Sequence, residues 1–198
     1  MPIKLVTPSS AVSNVIREHL TRISTLGRFR TRRLSAAAPA SLALAVPHRV
    51  YNLGLSDIKG AKSTAKAKPT AWRYLVLEGS TVIAAAEAIQ KSATAKPQFS
   101  NTNEGAFVDS TARAIETAEQ LPEVQAGQFE LAVLRIPALF VIALWLKGVG
   151  AKSPDDIFIP LEPAPQGLTA GERLSPADFN ALLVRLKKER GTTSSKSS

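Results

Sequence analysis

Residues 72–86 read WRYLVLEGSTVIAAA, and this stretch decides what kind of fold the chain encodes. Trp72, Tyr74 and Val76 alternate with Arg73, Leu75 and Leu77, a period of two with both faces largely apolar, as in a buried strand. Glu78-Gly79-Ser80-Thr81 supplies a turn, and residues 82–86 continue as a second apolar run. Together they predict a β-hairpin.

Toward the C-terminus, residues 90–105 are polar and are expected to form a loop. Asp109 or Ser110 then caps a helix reaching Gln120, with Val108, Ala112 and Ile115 on its buried face and Pro122 ending it. Residues 129–136 read as a strand that Pro137 breaks. Residues 138–146 are apolar on every side; their shortness and the β-branched Val141 and Ile142 favour a strand over a helix. Glu130, Arg135 and Pro137 interrupt the run from 129 to 146, so it is expected to be a buried soluble element and not a membrane span. Residues 157–161 make a short strand whose Pro160 marks an edge or an end, and residues 163–171 make a loop. Ser175 caps a last helix with Pro176 in first position and Asp178 in third. Its buried stripe is Phe179, Leu182, Leu183 and Leu186, and Gly191 is expected to stop it.

Toward the N-terminus, residues 8–26 fit a basic amphipathic helix with Val12, Ile16, Leu20 and Ile23 on one face. An arginine cluster follows at Arg28, Arg30, Arg32 and Arg33, then a mildly apolar, Ala-rich stretch to residue 46. Residues 49–55 suggest a further strand. Lys59, Lys62, Lys66 and Lys68 lie in an Ala/Ser/Thr/Lys segment with the composition of a linker.

The expected class is α+β: a single domain with an antiparallel or mixed sheet of four to six strands, two helices packed on one face, and a basic N-terminal helical arm. The expected divisions are the arm at 1–46, a strand and linker at 47–70, the compact domain at 71–190 and a tail at 191–198. Charge follows the same divisions. Residues 1–70 carry twelve Lys/Arg against two acids, residues 71–184 eight against thirteen, and residues 185–198 five against one. The net +9 therefore belongs to the two ends.

With no cysteine, the chain excludes disulfides, thiolate zinc sites, iron–sulfur clusters and a Cys nucleophile. His19 and His48 are twenty-nine residues apart, which fits no metal-binding spacing, and no Gly-x-Ser-x-Gly elbow accompanies them. Gly148-Val149-Gly150-Ala151-Lys152-Ser153 imitates a phosphate loop but separates Gly150 from Lys152 and continues into Pro154-Asp155-Asp156. Glu116 and Glu119 share an exposed helix side, and Asp155-Asp156 point apart in an extended loop. Trp72, Tyr74 and Trp145 read as core aromatics and not as base-stacking platforms.

No catalytic residue, cofactor or metal is assigned, and the residues present lean toward a non-enzymatic role without excluding an enzyme. The leading expectation is an interaction or accessory protein that recognises another protein through a sheet edge or the loop at 163–174. The alternative is a nucleic-acid-associated protein whose phosphate contacts come from Arg28, Arg30, Arg32, Arg33, Lys62, Lys66 and Lys68. A hydrolase using acidic residues alone stands third. A cytoplasmic location is expected; residues 1–46 also fit an organellar or twin-arginine-like targeting segment, being Arg- and Ser-rich and acid-poor.

Overall fold

The computed structural model describes residues 3–27, 29, 32–90, 92, 94–150 and 153–194. The strands are β1 (Ile3–Lys4), β2 (Leu42–Asn52), β3 (Lys68–Glu78), β4 (Thr81–Ile89), β5 (Gln98–Asn103), β6 (Phe129–Ile136), β7 (Val141–Gly148) and β8 (Ile157–Pro160). The helices are α1 (Ser10–Thr25), α2 (Arg32–Ala36), α3 (Ala106–Glu119), α4 (Pro122–Ala126) and α5 (Pro176–Ser194).

The class is α+β, but the sheet is larger than the four to six strands expected. Eight strands form one mixed sheet in the order β5-β4-β3-β2-β6-β7-β8, with β1 parallel to β6. Two strands account for the excess over six: β1, with two residues, and β5, the polar run Gln98-Phe99-Ser100-Asn101-Thr102-Asn103. Neither carries the apolar alternation that betrays a strand, because each owes its conformation to backbone pairing with a distant partner. The strand expected at 49–55 is β2, which starts earlier, inside the stretch assigned to the arm, and ends at Asn52.

By its internal contacts the chain divides into two compact units, residues 5–50 with 70–113, and residues 1–4 with 51–69 and 114–198.

In the 5–50/70–113 unit, β3, β4 and β5 form an antiparallel meander. Glu78 pairs with Thr81, leaving a two-residue loop with Gly79 at φ 59 in its first position, where such a turn needs positive φ. Trp72, Tyr74, Val76, Ile83, Ala84, Ala86 and Ala88 share one core with Val12, Ile16 and Leu20 of α1. The N-terminal helix is therefore no detached arm: three fully buried aliphatics contribute about 1.5–3 kcal/mol each. The helices are not confined to one face, either. Trp72 and Tyr74 meet α1, whereas Arg73, which alternation sends to the opposite side, lies 4.0 Å under Phe107 of α3. α3 also begins three residues before Asp109, on Gly105 O, which accepts from Val108 N and Asp109 N. Asp109 is engaged elsewhere, as described below. The buried positions of α3 are Val108, Ser110, Thr111, Ala114 and Ala118, while Ala112 and Ile115 are half-buried.

In the other unit, β6 and β7 pair in full register from Phe129–Gly148 to Ile136–Val141. They meet at a 3-10 turn, Pro137–Leu139, closed by Phe140. Both runs are thus strands. No helix of the described residues is long and apolar enough to cross a membrane. α5 lays Phe179 flat on Phe158 of β8, ring centroids 4.5 Å apart, and Trp145 of β7 extends the stack at 5.4 Å. Asp178 N donates to Ser175 Oγ as the cap requires. α5 does not stop at Gly191 but runs to Ser194; an exposed helical glycine costs only about 1 kcal/mol against Ala. The segment read as a linker is ordered into two 3-10 turns, Leu55–Asp57 and Ser63–Lys66, with Ser63 and Thr64 buried.

Candidate functional site

The Lys-rich segment owes its shape to one hydroxyl. Ser63 Oγ accepts from Lys59 N and Gly60 N, each at 3.0 Å, and donates to Gly60 O at 2.6 Å. This folds residues 59–63 into a tight turn that throws the lysines outward. The turn is then pinned to α5 at two levels. Asn180 Oδ1 accepts from Thr64 N at 3.0 Å, and Asn180 Nδ2 donates to Thr64 Oγ1 and Pro176 O. Seven residues further along α5, Lys187 Nζ donates to Ile58 O at 2.7 Å.

Lys59, Lys62 and Lys66 are exposed and line one shallow cleft with Asp57, Gly60, Ala61 and Ser63. The last turns of α5 add the exposed Lys188 and Arg190. Two basic segments more than a hundred residues apart thus belong to the same unit and meet at the Lys187–Ile58 contact. Arg185 is engaged, donating to Gly167 O at 2.9 Å and approaching Glu189 within 3.7 Å.

Of the seven residues expected to contact phosphate, Lys62 and Lys66 are brought together here, joined by Lys59. Lys68 is exposed at the start of β3. Of the four arginines, Arg32 and Arg33 are described and belong to the other unit. Arg33 belongs to the 5–50/70–113 unit and grips Asp109 with both guanidinium nitrogens, at 2.6 and 3.2 Å. Its pKa is raised above the ordinary value by the hydrogen bond and charge of Asp109, so it stays cationic and engaged. Glu104 caps the start of α2 by accepting from Arg33 N and Leu34 N. Arg32 is exposed in the same helix, and Arg28 and Arg30 lie outside the described residues.

At the start of the loop resembling a phosphate cradle, the Gly148 amide is taken by a carboxylate of the protein itself. Asp156 Oδ1 accepts from Gly148 N at 2.9 Å and Asp156 Oδ2 from Trp145 Nε1 at 2.8 Å. A Cβ on Gly148 would fall 1.8 Å from Pro154 O, so the backbone of residue 154 packs directly against Gly148. Ala151 and Lys152 lie outside the described residues. Trp72, Tyr74 and Trp145 are buried, as expected of core aromatics.

Each histidine is held locally. His19 stacks on Phe99 at 3.5 Å and faces Arg22 Nη2 at 3.3 Å; burial first, and Arg22 second, push its pKa down. His48 is buried with Nδ1 2.7 Å from the carbonyl of Val46, a β-branched residue at φ 49. Among the described residues no group of three or more His, Asp or Glu is placed to hold a metal ion.

Sequence reading missed the most buried charges among the described residues. Arg73 and Glu87 are 0% and 2% exposed and face each other across β3 and β4, Nη1 to Oε1 3.5 Å, with Asn101 Nδ2 3.5 Å from Glu87 Oε2. An Arg inside an apolar strand was the available signal; its partner depended on register. Comparison with family models, curated proteins and solved structures gives no match for the chain.

Proposed function

We propose that this is a non-catalytic binding protein that holds the phosphate backbone of a nucleic acid on the lysine face of the 51–69/114–198 unit. The carrying observation is the pinning of the Lys59–Lys66 turn onto α5, which holds the exposed Lys59, Lys62 and Lys66 along one cleft against the helix whose last turns carry Lys188 and Arg190. Fixed lysines spend less conformational entropy on an ion than a floppy tail does. Their contacts are sequence-independent and release counterions. If about four phosphates are neutralised, log K falls with log salt at a slope of roughly −3 to −4.

The test is fluorescence anisotropy with a labelled oligonucleotide over a salt series, comparing wild type with K59E/K62E/K66E. A loss of at least tenfold in affinity with a shallower salt slope supports the reading. Absence of wild-type binding at low salt, or wild-type affinity in the triple variant, overturns it.

A protein partner, expected first from the sequence, has one specific support. β5 ends the strand order, and its six residues include neither charge nor proline, the common guards of an edge strand. The loop at 163–174 gives less, since Gly171 N donates to Pro160 O and Leu174 pairs with Phe158 along β8. Strand addition between two copies at β5 would appear as a dimer in sedimentation that Asn101→Pro abolishes; a monomer at high concentration removes that route.

A further inference from the structure

We infer that Phe140, backed by Arg190, is a base-stacking platform, and that the nucleic acid held by the lysine face is single-stranded. This rests on the proposed phosphate-binding role. Phe140 is 77% exposed, the most exposed large apolar side chain among the described residues. It closes the β6–β7 turn through Phe140 N donating to Pro137 O, in the left-handed conformation at φ 54. That position suits Gly or Asn, and an aromatic ring there gains little from burial. The fold thus holds a flat apolar surface out in water at some conformational cost.

Arg190 supplies the second observation. Its Cζ lies 5.8 Å from the Phe140 ring centroid. A guanidinium beside an aromatic face is a combination that favours unpaired bases, which offer a π-surface next to a phosphate. Arg190 also ties the ring to the basic face. It follows Lys187 by three residues, roughly 4.5 Å along the helix axis, and Lys187 Nζ is fixed to the carbonyl of Ile58 immediately before Lys59. One strand passing over the end of α5 would meet the ring, the guanidinium and the lysines in succession. Duplex bases are stacked inside the helix and cannot use the ring, so the platform discriminates by strandedness and not by sequence.

The experiment measures anisotropy of a labelled 15-nucleotide single strand and of a hairpin duplex of the same composition at one salt concentration. The proteins are wild type, Phe140→Gly, Phe140→Trp and Arg190→Gln. Phe140→Gly relieves the left-handed backbone while removing the ring, so its thermal melting should equal or exceed that of wild type. It should weaken single-strand binding about 5- to 100-fold, with duplex binding and the salt slope nearly unchanged. Phe140→Trp should keep the affinity, and Arg190→Gln should lower it for the single strand more than for the duplex. Wild-type single-strand affinity in Phe140→Gly, or equal losses on both ligands, overturns the platform and leaves the lysine face standing. Wild-type protein that binds neither ligand overturns both.

Discussion

Arg73 and Glu87 oppose each other because β4 carries one residue more than β3 needs. The ladder runs Glu78–Thr81, Leu77–Val82, then Val76–Ala84, so Ile83 is bulged out and every later partner shifts by one. An unbroken ladder would have put Arg73 against Ala86. A second bulge, at Ser100, follows on the other side of Glu87, where Asn101 pairs with Glu87 but Phe99 with Ala88.

Breaking this pair should cost more than replacing it. Glu87→Leu alone leaves a buried guanidinium without its carboxylate and is expected to destabilise by about 3–5 kcal/mol. Arg73→Met with Glu87→Leu should recover most of that loss. Urea midpoints of the two single variants and the double variant decide it; additive losses would show that the two charges are held independently.

Asn180 is the joint between the Lys turn and α5. Asn180→Ala leaves Thr64 N–H and Oγ1 buried without these partners, which should cost about 1–3 kcal/mol. It should also expose Lys59, Lys62 and Lys66 to trypsin under conditions where the wild type resists. An unchanged digestion pattern would mean that the Lys187 contact alone holds the segment.

His19 should report its surroundings by titration. Its pKa is held below the ordinary 6.5 by burial and then by Arg22, so the folded state binds fewer protons than the unfolded one as pH drops. The stability associated with neutral His19 is complete above pH 6.5 and declines as pH falls toward the folded-state pKa. Phe99→Ala, by exposing the ring, should raise the NMR-measured pKa more than Arg22→Ala does. His19→Gln should flatten the corresponding part of the stability–pH curve. A pKa of 6.5 or higher in the wild type would contradict this.

Ile16 tests whether α1 is part of the fold. It is fully buried among Trp72, Tyr74 and the β4 alanines, so Ile16→Ala should cost about 2–5 kcal/mol in urea denaturation. Ile23, half-buried near the end of the same helix, should cost well under half as much when truncated. Equal, negligible effects would return α1 to the status of an appendage.

The sequence by itself determined the elements whose signals are local. The β3–β4 hairpin was legible because alternation and the Glu78–Thr81 turn sit within one short window. The start of α5 was legible from Ser175, Pro176 and Asp178, and the β6–β7 pair from apolar runs broken by Pro137. Tertiary structure decided everything that depends on a partner far along the chain. β5 is polar and became a strand only because β4 offered it an edge. The bulge at Ile83, which chose the mate of Arg73, leaves no mark in composition or period. The candidate site is of the same kind. Its lysines are plain in the sequence, but their union with α5 depends on Thr64–Asn180 and Ile58–Lys187, contacts that span 116 and 129 residues. Local propensity fixes where the chain turns and which face of an element is apolar; charges acquire partners only when packing brings distant segments within hydrogen-bond reach.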